Sequence, residues 1–146
     1  MKAPTDLTSQ ALAKYIDHTL LRPDATDTDL RQVCDQAREF GFYTVCVYWH
    51  QVGRVAGWLA GSGVLPIAVV GFPSGTVPTS EKVQETRTAI AAGAREIDMV
   101  INRDWLRSQP QAARDDIRAV VEAAAGAPVK VILENSELSN VEIVLA

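Results

Sequence analysis

The sequence predicts an α/β protein built on a parallel sheet. Three observations lead there. Short runs rich in β-branched residues alternate with longer runs whose apolar residues recur at i, i+3, i+4 and i+7. The third of the short runs, LPIAVVGF, is apolar almost throughout, as a strand covered on both faces should be. Glycine, proline and Ser/Thr/Asp residues punctuate the joins. Strands alternating with helices form parallel sheets with right-handed crossovers.

Each element follows from its own residues. KYIDHT reads as the first strand, with room for a short helix before it. DTDLRQVCDQAREFG reads as a helix, because Leu30, Val33, Cys34 and Ala37 form one apolar face. Thr26 and Asp27 offer N-cap chemistry, and Gly41 suits the position just past the end. YTVCVY is the second strand, and HQVGRVAGWLAG the next helix, facing inward through Val52, Val55, Ala56 and Leu59. After LPIAVVGF comes a Gly/Pro-rich loop, GFPSGTVPTS, then a helix over SEKVQETRTAIAAG closed by Gly93. REIDMVIN is the fourth strand. QPQAARDDIRAVVEAAAG is a helix with Pro110 in its first turn, an inner face of Ile117, Val120, Val121 and Ala124, and Gly126 as its stop. PVKVILEN is the fifth strand. In SELSNVEIVLA, Ser139 and Glu142 have capping-box spacing, so a last helix of about two turns is expected, too short to be stable alone.

Composition narrows the function classes. With 146 residues, 47% hydrophobic and 22% charged, the chain can bury one core. The net charge of −4 and the absence of any Lys/Arg cluster speak against nucleic-acid or anionic-membrane partners. Cys34 and Cys46 lack metal-ligand spacing, and a reduced, cytoplasmic protein is expected. MKAPTDLTSQALAKYI has no continuous apolar core of a secretory leader, and no segment approaches the roughly 20 apolar residues of a membrane span. No Gly-rich nucleotide loop follows any strand. Part of an eight-fold (β/α) barrel and an open doubly wound sheet both fit. A whole barrel needs about 200 residues or more.

The polar residues inside the strands carry the functional signal. Side chains alternate faces along a strand. In REIDMVIN, Ile97, Met99 and Ile101 share one face, and Asp98, Val100 and Asn102 the other. In the fifth strand Lys130, Ile132 and Glu134 lie opposite Val129, Val131 and Leu133. If the apolar set packs on helices, the other lines an interior holding Asp17, Cys46, Asp98, Lys130 and Glu134. Unpartnered buried charges cost on the order of several kcal/mol each, and Asp98 and Lys130, on successive strands, could neutralise one another. Lys130 is the one lysine expected inside, since Lys2, Lys14 and Lys82 map to ends or helices. The plain alternatives stand beside this. An Asp–Lys pair can be structural, Cys46 a small core residue, His18 a hydrogen-bonding residue, His50 a helix-start residue, and Trp49, Trp58 and Trp105 packing.

YIDHTLLRPDAT, VCVY, GFPSG, ETRTAIAAGAREIDMVIN, DIRAVV and VKVILE follow one another in order. Together they resemble the deoxyribose-phosphate aldolase family, class I aldolases on a (β/α)₈ TIM barrel, from about residue 12 onward. The resemblance implies a lysine imine with acetaldehyde, whose enamine adds to glyceraldehyde 3-phosphate to give 2-deoxyribose 5-phosphate, with no metal or organic cofactor. It implies proton transfer at Asp98, a site network with Asp17 and Lys130, and Cys46 beside the aldehyde pocket. Asn102 and Glu134 are assigned to substrate binding. The family's K-T-S-T-G strand, second site lysine and phosphate loops are not found, Trp49 stands where the family favours proline, and Glu134-Asn135 replaces E-T. The chain is therefore expected to form one domain over residues 1–146 comprising about the first five βα units. Impaired catalysis, or a non-catalytic half-barrel acting in assembly, is expected, together with self-association through exposed sheet edges.

Overall fold

The computed structural model describes residues 8–146; Lys2 and the rest of residues 1–7 lie outside them. The elements run α1 (Ser9–Ala13), β1 (Asp17–Thr19), α2 (Asp27–Phe40), β2 (Thr44–Tyr48), a 3₁₀ turn (Trp49–Gln51), α3 (Val52–Leu59) and β3 (Leu65–Val70). They continue through α4 (Thr79–Ala91), β4 (Ile97–Val100), α5 (Arg103–Ser108), α6 (Pro110–Ala123), β5 (Val129–Ile132), a second 3₁₀ turn (Asn135–Glu137) and α7 (Asn140–Leu145).

Helix ends fall where side chains satisfy free backbone groups. Thr26 caps α2: its hydroxyl accepts from the Asp29 N–H, and the Asp29 carboxylate accepts from the Thr26 N–H. Gly41 closes α2 at φ +67°. Pro110 opens α6, and the Ser139–Glu142 capping box opens α7.

All five strands are parallel, in the order β1-β2-β3-β4-β5. The order never reverses, and one face carries the helices. Val45, Val47, Ala68, Val70, Ile97 and Met99 pack there against Leu30 and Cys34 of α2, Val52 and Val55 of α3, Ala89 of α4 and Val120 of α6. Fully burying each large member contributes about 1.5–3 kcal/mol. The opposite face carries a smaller cluster of Cys46, Ile67 and Val69, with Leu21, Tyr48 and Phe72. A doubly wound sheet would need a reversal point and helices on both faces. The barrel-type arc is the form adopted. Its curl is tight enough for Lys130 of β5 to pair with Asp17 of β1, the two outermost strands, at 2.6 Å.

Several boundaries differ from the sequence-based expectation, each for a local reason. The fourth strand stops at Val100 because Asn102 caps a separate helix, α5, its Oδ1 accepting from the Asp104 and Trp105 N–H groups. The third strand stops at Val70 because Gly71 turns at φ +62° and donates its N–H to Glu85. The first strand begins only at Asp17, since Lys14 closes α1. Val121 is exposed rather than part of the inner face of α6; Ala113, Asp116 and Val120 are its buried residues. Among the described residues, no helix is long and apolar enough to cross a membrane.

Candidate active site

The register places Asp98 between Val69 and Lys130, and Cys46 between Thr19 and Ile67, all on the face away from the helices. Lys130 Nζ lies 2.6 Å from Asp17 Oδ2, 2.9 Å from Glu96 Oε1 and 3.4 Å from Asp98 Oδ2. Thr44 donates its hydroxyl to Asp17 Oδ1 at 2.6 Å. One ammonium thus serves three carboxylates, and Asp98 Oδ1 is buried with no hydrogen-bond partner. The sequence reading brought Asp17, Cys46, Asp98 and Lys130 to this face and missed Glu96. The signal was present: Glu96 precedes Asp98 by two residues and so shares its side of the strand.

The electrostatics give these groups different capacities. Burial pushes the Asp98 carboxyl up to about 6; Lys130 pulls it down and Glu96 pushes it further up. Burial also works against ionised Asp17, but hydrogen bonds from Lys130 and Thr44 outweigh it and hold Asp17 below the usual carboxylate range. Burial opposes the charged form of Lys130, yet hydrogen bonds to Asp17 and Glu96 and the charges of Asp98 and Asp17 hold it above the ordinary lysine range. Burial, then the charges of Asp98 and Asp17, push the Cys46 thiol up to about 12. At neutral pH Cys46 is therefore a neutral wall of the cavity rather than a nucleophile. Asp98 can hold or release a proton near neutrality, and Lys130 is a fixed cation. Asp17, Glu96 and Asp98 offer oxygens within 4.8 Å of one another, but Lys130 already supplies the positive charge among them.

The remaining predicted residues sit apart. Asn102 is buried and spends its Oδ1 on the α5 cap. Glu134 lies past the end of β5 at φ +59°, pairs with Arg103 at 3.8 Å, and makes no ion pair with the Lys130 group. His18 hydrogen-bonds Gln36 at 2.8 Å and packs on Phe42, in keeping with its plain reading.

The expectation of Lys130 as the single interior lysine does not hold: on β5, an outermost strand, its side chain is 47% exposed, and the interior lysine is Lys82. It is fully buried, donating to Asp116 Oδ2 at 2.6 Å and to Val100 O at 2.9 Å, while Thr79 donates to Asp116 Oδ1 at 2.7 Å. A lysine in a helix reads as solvent-facing by default. Only the packing of α4 on α6 puts it opposite a carboxylate. It sits in the helical layer, away from the Lys130 face.

Comparison with known proteins places these observations in a lineage. The family model described as DeoC/LacD family aldolase matches residues 11–144. A deoxyribose-phosphate aldolase of Alkaliphilus oremlandii is 51% identical over 137 residues, covering 92% of this chain and 62% of the relative. One from Bdellovibrio bacteriovorus is 47% identical over 136 residues, with the same coverage of both chains. Among solved structures, the tetrameric deoxyribose phosphate aldolase of Aeropyrum pernix matches with a TM-score of 0.87 at 34% identity, over 94% of this chain and 58% of that one. The chain thus spans about three fifths of the length of the relatives it matches.

Proposed function

The chain belongs to the DeoC/LacD family of aldolases, and from that footing we propose that it carries the proton-transfer part of a class I aldol site for 2-deoxyribose 5-phosphate. The observation that supports this most is Asp98: a buried carboxyl with a free oxygen, raised to about 6, beside an ammonium. In the proposed chemistry a lysine amine adds to the acetaldehyde carbonyl and water leaves, giving an imine. A base takes a proton from the adjacent carbon, and the enamine so formed attacks the carbonyl carbon of glyceraldehyde 3-phosphate. The acceptor oxygen takes up a proton, and water hydrolyses the imine to free the lysine. The cleavage direction reverses these steps. Asp98 serves the proton transfers, while Asp17 and Lys130 hold the charge around it and Cys46 bounds the aldehyde pocket.

Lys130 is a poor imine former in this setting. It is the one lysine on the site face among the described residues, and its carboxylate partners keep it protonated. Each unit by which a lysine pKa is raised removes about tenfold of its free amine at a given pH. Slow acetaldehyde release from 2-deoxyribose 5-phosphate is expected. Acetaldehyde with a hydride reductant should label exposed Lys14 ahead of Lys130 at neutral pH. Labelling of Lys130 should then quicken about tenfold per pH unit as the solution is made alkaline. Intact-mass analysis with peptide mapping reads this. Fast neutral-pH turnover would overturn the slow-lysine reading.

The second reading, a half-barrel acting in assembly, rests on the sheet edges. Among the described residues, β1 and β5 each pair on one side only. Unpaired strand edges invite pairing with another chain. We propose association of copies through β1 and β5, so sedimentation at micromolar concentration should show concentration-dependent oligomers. A strict monomer there counts against it. No sugar-phosphate cleavage and no Lys130 adduct at any pH, from folded protein, would leave assembly as the reading.

A further inference from the structure

Lys82 and Glu85 stand one turn apart on α4 and hold two different pieces of backbone. Glu85 Oε2 accepts from the Gly71 N–H at 2.7 Å, at the end of β3. Lys82 Nζ donates to the Val100 carbonyl at the end of β4 and is itself held by Asp116 of α6. The loop between those contacts is fitted to them. A methyl group on Gly71 would lie 2.8 Å from Lys82 Cε, so the lysine stem runs directly against that backbone. A methyl on Gly75 would lie 2.1 Å from the Ile101 carbonyl oxygen and 2.9 Å from that of Val100. Gly75 is also at φ +75°, where only glycine is unstrained. The loop over residues 71–75 and the end of β4 are therefore one locked unit. Asp98 lies two residues before Val100 on the same side of the strand, and Asn102 two residues after it.

We propose that Lys82 and Glu85 are positioning residues: through the Gly71–Gly75 loop and the Val100 carbonyl they set the end of β4 and hence the seat of Asp98. A buried ion pair is not needed for stability as such. Replacing both members by apolar residues of similar volume is often neutral. Here the hydrogen bonds of Lys82 and Glu85 end on the rim that carries the site. The consequence for catalysis rests on the proposed function, whereas the positioning itself does not.

The test uses the full chain with Lys82→Met and Asp116→Leu together, so that no charge is left buried. The readouts are the unfolding midpoint, the backbone amide resonances of residues 71–75 and 100–102, and the carbon-13 titration of the Asp98 carboxyl. That carboxyl faces Lys130, Glu96 and Asp17. The expected result is a folded protein in which those amides move and the Asp98 titration falls by about one pH unit, because a loosened strand end lets water reach the carboxyl. A folded double variant with unmoved amides and an unchanged titration overturns the proposal and leaves Lys82 a packing element. If the double variant does not fold, Glu85→Met, which frees the Gly71 N–H and leaves Lys82 paired, decides in the same way. It should shift the same amides and lower the Asp98 titration, and an unmoved spectrum overturns the proposal. Absence of any Lys130 adduct in the parent chain would count against the aldolase reading alone, since the titration is measured without turnover.

Discussion

Asp116→Ala is expected to lower the stability of the fold by about 3–5 kcal/mol, the cost of stripping a buried charge of its partner. Lys82 is fully buried, and its ammonium has two acceptors, Asp116 Oδ2 and the Val100 carbonyl. Alanine removes the only negative charge among them and opens a gap between α4 and α6. Thr79 loses its acceptor in the same step. The remaining carbonyl can accept a hydrogen bond but cannot neutralise the charge, so Lys82 must lose its proton, draw in water or pull α4 off α6. A domain has about 5–15 kcal/mol in total. The substitution therefore removes a large share of it, and denaturant unfolding of the single variant should show a sharply lowered midpoint. The paired Lys82→Met/Asp116→Leu variant should unfold close to the parent, because the penalty comes from the orphaned charge. A loss below about 1 kcal/mol in Asp116→Ala would mean that the ammonium is reached by water, contrary to its burial.

Asp98→Asn is expected to act in opposite directions on stability and on chemistry. In the folded chain the Asp98 carboxyl titrates at about 6, whereas in an unfolded chain an aspartate titrates at about 3.9. Between those values the folded state holds the proton and the unfolded state has released it. Stability therefore falls as pH rises from about 4 to about 6, and the deficit persists above that window. The deficit is on the order of 3 kcal/mol for a shift of this size. Asparagine has the same shape and no charge, so it should remove the Asp98 part of the slope and gain about 1–2 kcal/mol above pH 6, leaving the part from Glu85, whose carboxyl burial also raises. Asp17 does not mask this, because its depressed titration contributes stability that is lost only as pH falls below the ordinary carboxylate range. The same substitution removes a proton carrier, and any aldol turnover should fall by about 10²–10⁴-fold. Urea unfolding between pH 4 and 8, with acetaldehyde release alongside, reads both effects. Parallel pH profiles in parent and variant would show that Asp98 titrates as an ordinary carboxylate.

Both predictions turn on buried charges, and the two charges differ in how visible they are in the sequence. Asp98 stands out because it interrupts an apolar run whose neighbours alternate, and Lys130 does the same one strand later. Once the strands are parallel and adjacent, the register pairs them directly. Glu96 was accessible by the same alternation but lies just before the first residue of β4, where the apolar contrast that marks Asp98 is missing. Asn102 has the face expected of it, yet a new helix begins there and uses its side chain as a cap. Lys82 and Asp116 carry no such mark. Each lies in an amphipathic helix among other polar residues, and a charged residue in that setting reads as solvent-facing.

What the sequence determined by itself was encoded within a few residues: the apolar face of α2, the N-cap chemistry at Thr26, the capping box at Ser139, the turn at Gly41 and the strand alternation that aims Asp98 inward. Those signals rest on backbone periods of 3.6 and 2 and on local hydrogen bonds, so they need no knowledge of the rest of the chain. Tertiary structure decided which polar groups meet. Lys130 reaches Asp17, 113 residues away, because the sheet curls until its outer strands face each other. Lys82 reaches Asp116 and the end of β4 because α4 packs on α6. Such meetings depend on how far a sheet bends and how helices cross. Both follow from the packing of the whole core, so no single stretch of sequence contains them.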